Sequence, residues 1–222
     1  MWDLMNCQTC RHMKIKAFGW IYCVLLGVLL PSSLRAQENT AEWKLFETEL
    51  LDKNSQIQTI SCKFEQTRQT SVLKEAVRKT GDFYYKRPDN IRLGFSDGDD
   101  ITMNGEYFRI TSSGKTSVVK MQSNPMLKEL KRILSSCMSA DLSGLTAGFV
   151  PKLAVRENQY ELELTPKRKT NLKSLLLVFS RKDMSLDMLK MTEHSEDYTL
   201  YRFSGKRFDL PVQDGLFKIE RP

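Results

Sequence analysis

The chain has 222 residues, 41% of them hydrophobic, and a formal net charge of +7. This length suits one domain, and the sequence contains no internal repeats, low-complexity tracts or long linkers. The mild positive charge falls short of the dense basic patch with base-stacking aromatics that a nucleic-acid-binding protein requires, so no nucleic-acid partner is expected.

Residues 1–36 have the pattern of a cleaved secretory signal peptide. Two lysines precede an apolar run of 14 residues, Ala17–Leu30, and a cleavage signal follows that ends at Ala36. A membrane-spanning helix needs about 20 apolar residues, so an uncleaved anchor is the weaker alternative. A start at Met13 gives a better-proportioned leader than the first methionine does. The sequence therefore predicts export and one mature domain, residues 37–222.

Removal of this leader takes away four basic residues and one acidic residue, which lowers the formal net charge from +7 to +4. Cys62 and Cys137 are the cysteines that remain. Both fall on the apolar side of their predicted elements, which favours two buried free thiols; because the protein is exported, a disulfide stays open as the alternative.

The mature chain is predicted to open with an amphipathic helix. Asn39 and Glu42 are spaced as a capping pair, and Trp43, Phe46 and Leu50 recur at helical spacing. This apolar stripe must pack against another element.

The hydrophobic period then changes from 3.6 to 2, which indicates a sheet. Ile60, Cys62 and Phe64 alternate with polar residues in the first strand. Glycine turns follow at Asp97-Gly98 and Asn104-Gly105, because Asn or Asp before Gly tolerates the positive φ of a hairpin turn. The segments between and after these turns are predicted as consecutive antiparallel strands: 101–103, 106–111 and 116–121.

The stretch 81–95 lies between the first strand and these hairpins and is predicted to form two strands broken at Pro88. Side chains alternate across a strand, so Phe83, Tyr85 and Arg87 point to the same face. The apolar face of this strand therefore ends in a cation.

A strongly amphipathic helix interrupts the strands. Asn124 is predicted to cap it and Pro125 to occupy its first position, with Lys128, Lys131 and Arg132 on the polar face. The apolar face is formed by Met126, Leu127, Leu130, Ile133, Leu134, Cys137 and Met138.

The strands resume after a second short helical segment. They are predicted at Lys152–Val155, Tyr160–Leu164, Leu175–Phe179, Leu186–Glu193, Tyr198–Ser204 and Phe208–Ile219. The whole pattern predicts a mainly β (α+β) fold of about ten or eleven strands. We expect a strongly curved antiparallel sheet, or incomplete β-barrel, covered by the N-terminal helix and the mid-chain helical lid.

The sequence gives little support for a catalytic site or a metal site. Gly94–Gly98 matches the Gly-x-Ser-x-Gly pattern of hydrolases, and His194 lies downstream of Ser96. That pattern needs a strand, a tight turn and a helix, whereas Ser96 precedes a turn between two strands. His194 is the single histidine after Ala36, which excludes a His-rich zinc site. We therefore expect no enzyme, no metal and no cofactor; a lipid hydrolase that uses Ser96 is kept as a distant alternative.

Several short motifs resemble one family in order and spacing. Gly81-Asp-Phe-Tyr-Tyr-Lys-Arg-Pro88, followed by an alternating strand, is similar to the LolA-like family of bacterial periplasmic carriers of outer-membrane lipoproteins. Further similar pieces are Leu51-Asp-Lys53 before Phe64-Glu-Gln66, Met103-Asn-Gly105, Asn124-Pro-Met-Leu127, and Leu164-Thr-Pro-Lys167 before Asn171-Leu-Lys173. The resemblance covers roughly residues 40 to 219 and includes no catalytic signature.

The resemblance implies a periplasmic, non-enzymatic carrier that shuttles lipoproteins from the inner to the outer membrane and binds their acyl chains in an apolar cavity. Arg87 occupies the position of an arginine that holds the empty cavity closed through hydrogen bonds to the lid, and it would also contact the polar part of the ligand. The lining expected for the cavity is Phe64, Phe83, Tyr85, Ile91, Leu93, Met126, Leu127, Leu130, Ile133, Leu134 and Met138.

The implied partners are an ATP-driven inner-membrane lipoprotein-releasing complex (LolCDE-like) and a receiver at the outer membrane, and we expect a monomer. Two other binding functions stay open. One is a carrier of another acylated lipid or glycolipid in the same cavity; the other is a module that binds peptidoglycan or a protein and has no apolar cavity.

Overall fold

A computed structural model describes residues 31–220, with side chains from Ala41 to Glu220. The predicted apolar run of the leader, Ala17–Leu30, and the alternative start at Met13 lie outside the described residues. The chain divides into two compact units, Met1–Ala41 and Glu42–Pro222. The sheet, the mid-chain helices and the candidate site all belong to the second unit.

In the described part of the chain, eleven strands form one antiparallel sheet, which confirms the predicted fold class. The strands are β1 (Thr59–Gln69), β2 (Val77–Lys86), β3 (Asn90–Phe95), β4 (Asp100–Asn104), β5 (Tyr107–Ser112), β6 (Lys115–Lys120), β7 (Phe149–Val155), β8 (Gln159–Pro166), β9 (Leu172–Ser180), β10 (Leu186–Glu193) and β11 (Tyr198–Phe208). Within residues 31–220 the helices are α1 (Pro31–Asn54), α2 (Pro125–Ser139) and α3 (Ser143–Gly148), with 3-10 turns at Met121–Ser123 and Asp214–Phe217.

The strand order brings the mid-chain helices over the sheet. Strands lie in the order β6-β5-β4-β3-β2-β1-β11-β10-β9-β8-β7, so the two edge strands, β6 and β7, are neighbours in sequence. The segment between them, which contains α2 and α3, must therefore cross from one edge of the sheet to the other. No hydrogen-bonded pairing of β6 with β7 occurs among the described strands, so the sheet is not closed into a barrel.

One apolar core occupies the concave side of this sheet. A flat sheet of eleven strands would be about 50 Å wide. Nevertheless Phe108 of β5, Phe83 of β2 and Leu175 of β9 belong to a single buried cluster together with Leu134 of α2. The sheet must curve to bring them together, and irregular pairing of β1 with β11 around Cys62 increases the local twist.

Helix α1 packs its apolar residues on the β8–β9 side of the core. The Phe46 ring lies 5.1 Å from Tyr160 and 5.5 Å from Phe179 between ring centroids. The predicted start at an Asn39 cap is wrong, because the helix is continuous from Pro31. The eleven residues that follow Pro31 include no glycine or proline that would break the helix.

The predicted last strand, Phe208–Ile219, is also wrong. Strand β11 ends at Phe208, and Asp209 has a positive φ of 55°. The Asp209 carboxylate instead accepts a hydrogen bond from the backbone amide of Gln58 at 2.7 Å. Pro211 then removes a backbone donor, and a 3-10 turn follows at Asp214–Phe217.

Candidate functional site

The covered part of the concave face lies beneath α2. Asn124 caps this helix as predicted, since its side chain accepts a hydrogen bond from the amide of Leu127 at 3.1 Å. The apolar face of α2 packs Leu130, Ile133, Leu134, Cys137 and Met138 into the core, and Leu127 packs half-buried against it. Met126, which was expected to join this face, has 41% of its surface exposed.

The sheet residues predicted to line the cavity lie together opposite α2. Phe64, Phe83, Tyr85, Ile91 and Leu93 are all buried in the same cluster as the α2 side chains. The register explains this, because Tyr85 lies opposite Ile91 and Phe83 lies opposite Leu93 on neighbouring strands. Ten of the eleven residues expected in the lining are therefore in or against one core, and Met126 is not.

The space between α2 and the sheet is filled by these side chains. The cavity that remains has a volume of about 10 Å³, enough for about one water molecule. Cys62 and Phe83 line it from the sheet, and Cys137 and Met138 line it from α2. The unfilled hollow expected there is absent with α2 in this position, because its apolar side chains occupy the space themselves.

Both thiols at this boundary are free and buried. Burial in apolar surroundings raises the pKa of the Cys62 thiol to about 12 and raises the pKa of Cys137 as well. Each thiol is therefore protonated and shielded while α2 covers the sheet.

Arg87 connects the sheet to the C-terminal ends of α1 and α2. Its Nε donates to the carbonyl of Ile57 at 2.7 Å, and its Nη2 donates to those of Ser55 at 2.6 Å and Asn54 at 3.4 Å. The same Nη2 donates to the carbonyl of Ser139, the last residue of α2, at 3.3 Å. Carbonyls at a helix C-terminus carry partial negative charge, so a guanidinium is a suitable partner. This placement agrees with the expected direction of Arg87, and its function as a latch stays a prediction.

A second attachment of α2 was missed from the sequence. Lys131 was expected on the polar face, but it is buried, and its Nζ lies 2.7 Å from Asp89 Oδ2 and 2.7 Å from the carbonyl of Gly105. Asp89 lies in the β2–β3 turn and Gly105 in the β4–β5 turn. Lys131 borders the apolar stripe beside Leu130 and Leu134, and this boundary position was the available signal.

The other end of the concave face is open. A cleft of about 550 Å³ lies near the β1–β2, β3–β4 and β5–β6 turns, at the opposite end of the strands from the turns that Lys131 contacts. Phe95, Ile101 and Ile110 line it from the sheet, and the β1–β2 loop and its edges contribute Val72, Leu73 and Val77. The sheet residues belong to the core face, since Ile101 lies opposite both Leu93 and Ile110.

Sequence reasoning did not identify this cleft. The rings of Phe64 and Phe95 meet edge to face at 5.2 Å, so the cleft borders the core directly. The signal was available in Val72, Leu73 and Val77, three apolar residues around a short connection. In the structure they are 89%, 42% and 44% exposed.

The charges at the mouth of the cleft are mostly paired. Lys79 Nζ lies 2.7 Å from Asp97 and 2.7 Å from Asp99, and 5.4 Å from the centre of the Phe95 ring. Hydrogen bonds from Lys79 hold the pKa of both carboxyls below the usual range, and the same bonds raise the pKa of Lys79.

The hydrolase pattern does not form a catalytic arrangement. Ser96 lies in the β3–β4 turn with its hydroxyl 3.1 Å from the carbonyl of Thr80, and a strand rather than a helix follows it. His194 lies beyond β10, on the far side of β2, β1 and β11 from Ser96. Between Ala41 and Glu220, no group of three or more His, Cys, Asp or Glu side chains is arranged to bind a metal. No helix within residues 31–220 has the length and apolarity needed to cross a membrane.

Comparison with known proteins identifies one matching family. The model described as "Outer membrane lipoprotein carrier protein LolA" matches residues 55–220. No curated protein sequence matches the chain significantly.

Similar solved structures are distant in sequence. A DUF1329 family protein from Desulfovibrio piger is 12% identical, with a TM-score of 0.46 over 79% of this chain and 96% of that one. A LolA superfamily protein from Nitrosomonas europaea is 10% identical, with a TM-score of 0.39 over 78% and 97%. The lipoprotein LppX of Mycobacterium tuberculosis is 11% identical, with a TM-score of 0.41 over 77% and 98%.

Proposed function

The chain belongs to the LolA family of outer membrane lipoprotein carrier proteins, and from that membership we propose that it carries the acyl chains of lipoproteins across the periplasm, from the inner to the outer membrane. It works without catalysis or a cofactor, as a monomer. Its partners are an ATP-driven inner-membrane releasing complex (LolCDE-like), which loads it, and a receiver at the outer membrane.

The physical need for a carrier comes from the acyl chain. Burial of hydrocarbon contributes about 0.8 kcal/mol per CH₂, so exposure of a chain of about sixteen carbons to water costs on the order of 12 kcal/mol. A protein that covers the chain in an apolar space removes most of this barrier to transfer.

The observation that carries the proposal is the way in which α2 is held. Its apolar face fills the concave side of the sheet, whereas Arg87 and Lys131 supply polar attachments near the β2–β3 end of the strands. A helix held in this way is a displaceable cover. When it moves away, the apolar side chains of the sheet become the wall of a cavity that an acyl chain can fill.

Opening and filling involve energies of the same order. Exposure of Leu130, Ile133, Leu134 and Met138 costs about 1.5 to 3 kcal/mol for each side chain. Burial of the acyl chain against the sheet contributes a favourable free energy of similar size. The binding free energy of the cargo is then the difference between the gain from burying the acyl chain and the cost of exposing the α2 side chains. A small difference keeps binding reversible and permits transfer to a receiver that binds the cargo more tightly.

Mass spectrometry of the protein purified from its native periplasm tests this function. Co-purified peptides that carry an acylated N-terminal cysteine support lipoprotein transport. Free lipids or glycolipids in their place support the other carrier function, and purified protein that holds no acylated molecule and takes up no apolar probe contradicts both. The hydrolase alternative predicts ester cleavage that Ser96→Ala abolishes, and a wild type without ester cleavage ends it.

A further inference from the structure

The open cleft is already formed while α2 covers the core. Its volume of about 550 Å³ falls within the range of about 300 to 1,000 Å³ that is usual for ligand sites. The space beneath α2 is about 10 Å³ in the same structure. The cleft therefore needs no movement of α2 to admit a ligand.

Hydrogen bonds hold the loop that forms one wall of the cleft. The amide of Ser71 donates to Asp197 Oδ1 at 2.7 Å, which ties the loop to the β10–β11 turn. The amide of Leu73 donates to the carbonyl of Thr70 at 3.0 Å. These bonds fix the positions of Val72 and Leu73 beside the sheet, so the wall exists before a ligand arrives.

The lining favours hydrocarbon over a peptide. The cleft lies on the face of the sheet, where β2, β3 and β4 are each hydrogen-bonded to neighbours on both sides. An extended peptide needs free backbone donors and acceptors, which a sheet edge offers and this face does not. Phe95, Ile101, Ile110 and the loop provide the apolar surface that a hydrocarbon chain needs. The rest of the lining is polar and consists of Gln66, Arg68, Thr70, Lys79, Asp99, Thr111 and Ser112.

A cation without an acidic partner lies at the rim. Arg68 lines the cleft from β1 and forms no ion pair with any carboxylate between Ala41 and Glu220. Lys79, which also lines the cleft, is paired with both Asp97 and Asp99, so these three side chains together carry a net charge of −1. The positive charge available to an anionic ligand is therefore the guanidinium of Arg68, which suits a carboxylate or a phosphate.

We propose that the open cleft is a separate, preformed site for one hydrocarbon chain of an anionic amphiphile, with Arg68 at its headgroup. This inference extends the proposed carrier function to a second ligand class and does not require α2 to move. A fatty acid and a lysophospholipid share the chemistry, since each has one chain and one anionic group.

The test measures binding of a fluorescent fatty acid, the alcohol of the same chain length and lysophosphatidylglycerol to the full mature protein. Ile110→Asn should weaken binding of the fatty acid about tenfold, because it removes apolar contact. Leu73→Asn, on the exposed loop, should act in the same direction without risk to folding. Val150→Asn, at an exposed position of edge strand β7, is the matched control and should change nothing.

Headgroup recognition is tested separately. Arg68→Gln should weaken the fatty acid up to about fivefold and leave the alcohol unchanged. Arg78→Gln, on neighbouring β2 but facing the opposite side of the sheet, is its control. Preference for the fatty acid or for the lysophospholipid identifies the source of the ligand, and either one supports the site.

Protection of Cys62 and Cys137 against a thiol reagent must persist with the fatty acid bound. The site is contradicted if the wild type binds no anionic single-chain probe, if Leu73→Asn and Ile110→Asn bind as the wild type does, or if binding exposes the thiols. If fatty acid exposes the thiols but a lipopeptide also binds, the separate site is wrong and the carrier function stands. If fatty acid binds in the cleft and no lipopeptide binds, the site stands and the carrier function is wrong.

Discussion

Arg87 and Ser139 lie on opposite sides of the boundary between sheet and lid, and the guanidinium donates to the carbonyl at 3.3 Å. Arg87 follows β2 and Ser139 ends α2, so this hydrogen bond joins the sheet to the helix that we propose as its lid. The guanidinium also donates to the carbonyls of Asn54, Ser55 and Ile57. Arg87 therefore contacts the end of α1 as well as the end of α2.

Replacement of Arg87 by leucine should shift the balance toward the open, loaded state. Arg87→Leu keeps an aliphatic side chain beside the core but removes the guanidinium and its hydrogen bonds to the helix ends. The empty closed state therefore loses stability relative to the loaded state. We expect a folded protein that binds an acylated peptide and releases it more slowly to a second carrier or to vesicles. Arg78→Leu, an exposed cation on β2, is the control. Release at the wild-type rate would contradict the latch.

Replacement of Lys131 should loosen the other attachment. Lys131→Met keeps a long side chain at a buried position and removes the contacts to Asp89 and Gly105. We expect faster labelling of Cys137 by a thiol reagent, because α2 separates more often from the turns at this end. Lys128→Met, exposed on the same helix, should label at the wild-type rate. Equal rates in both variants would mean that Lys131 does not fasten the lid.

Gly81 should tolerate no side chain. A Cβ at this position would lie 2.1 Å from the carbonyl oxygen of Gly94 and 2.8 Å from the Phe64 ring. Gly81→Ala therefore forces a backbone shift between β2 and β3, and we expect a loss of about 2 to 3 kcal/mol in the free energy of unfolding by urea. Gly144→Ala in α3, where a Cβ meets nothing within 4 Å, should be neutral or slightly stabilising. Similar urea-unfolding midpoints for Gly81→Ala and Gly144→Ala would contradict the close contact between Gly81 and the carbonyl of Gly94.

The buried thiols predict a pH dependence of stability. The ordinary thiol pKa is 9.0, and burial raises the pKa of Cys62 to about 12. Between these values the unfolded chain has lost the proton that the folded chain retains, so stability falls as pH rises above 9, by at most about 1.4 kcal/mol per pH unit for each thiol. Burial raises the pKa of Cys137 too, which adds to the slope.

The double variant Cys62→Ala, Cys137→Ala isolates this effect from other titrating groups. We expect its free energy of unfolding to decline less steeply than that of the wild type between pH 9 and pH 11. Parallel curves for the two proteins would show that the thiols are as accessible in the folded chain as in the unfolded one.

Local patterns predicted most of the architecture and the residues that meet in the core. The alternation of Phe83, Tyr85 and Arg87 requires no knowledge of the rest of the chain, and the structure places all three as the alternation predicted. The same holds for Asn124, whose cap depends on the next three residues.

The Asn39 cap is a local error, but several other errors involve contacts between distant segments. The buried position of Lys131 depends on two turns, at Asp89 and Gly105, that the helical pattern cannot reveal. Phe208–Ile219 has apolar residues suited to a strand, but the bond of Asp209 to Gln58 ends β11 first. The filled space beneath α2 depends on how side chains from five or more elements pack, and alternation in one element carries no information about volume.

Thiol labelling with and without a triacylated peptide tests most directly whether α2 is a displaceable lid. Cys62 lines the closed boundary from the sheet and Cys137 lines it from α2, so the accessibility of Cys137 reports the movement of α2. Saturation with the lipopeptide should accelerate labelling of Cys137, which moves away with α2, well above the rate in the empty protein, whereas the acyl chain covers Cys62 on the sheet. A peptide of the same sequence without acyl chains should leave both rates unchanged. Tight binding of the lipopeptide with Cys137 labelled no faster than in the empty protein would contradict the lid-opening account.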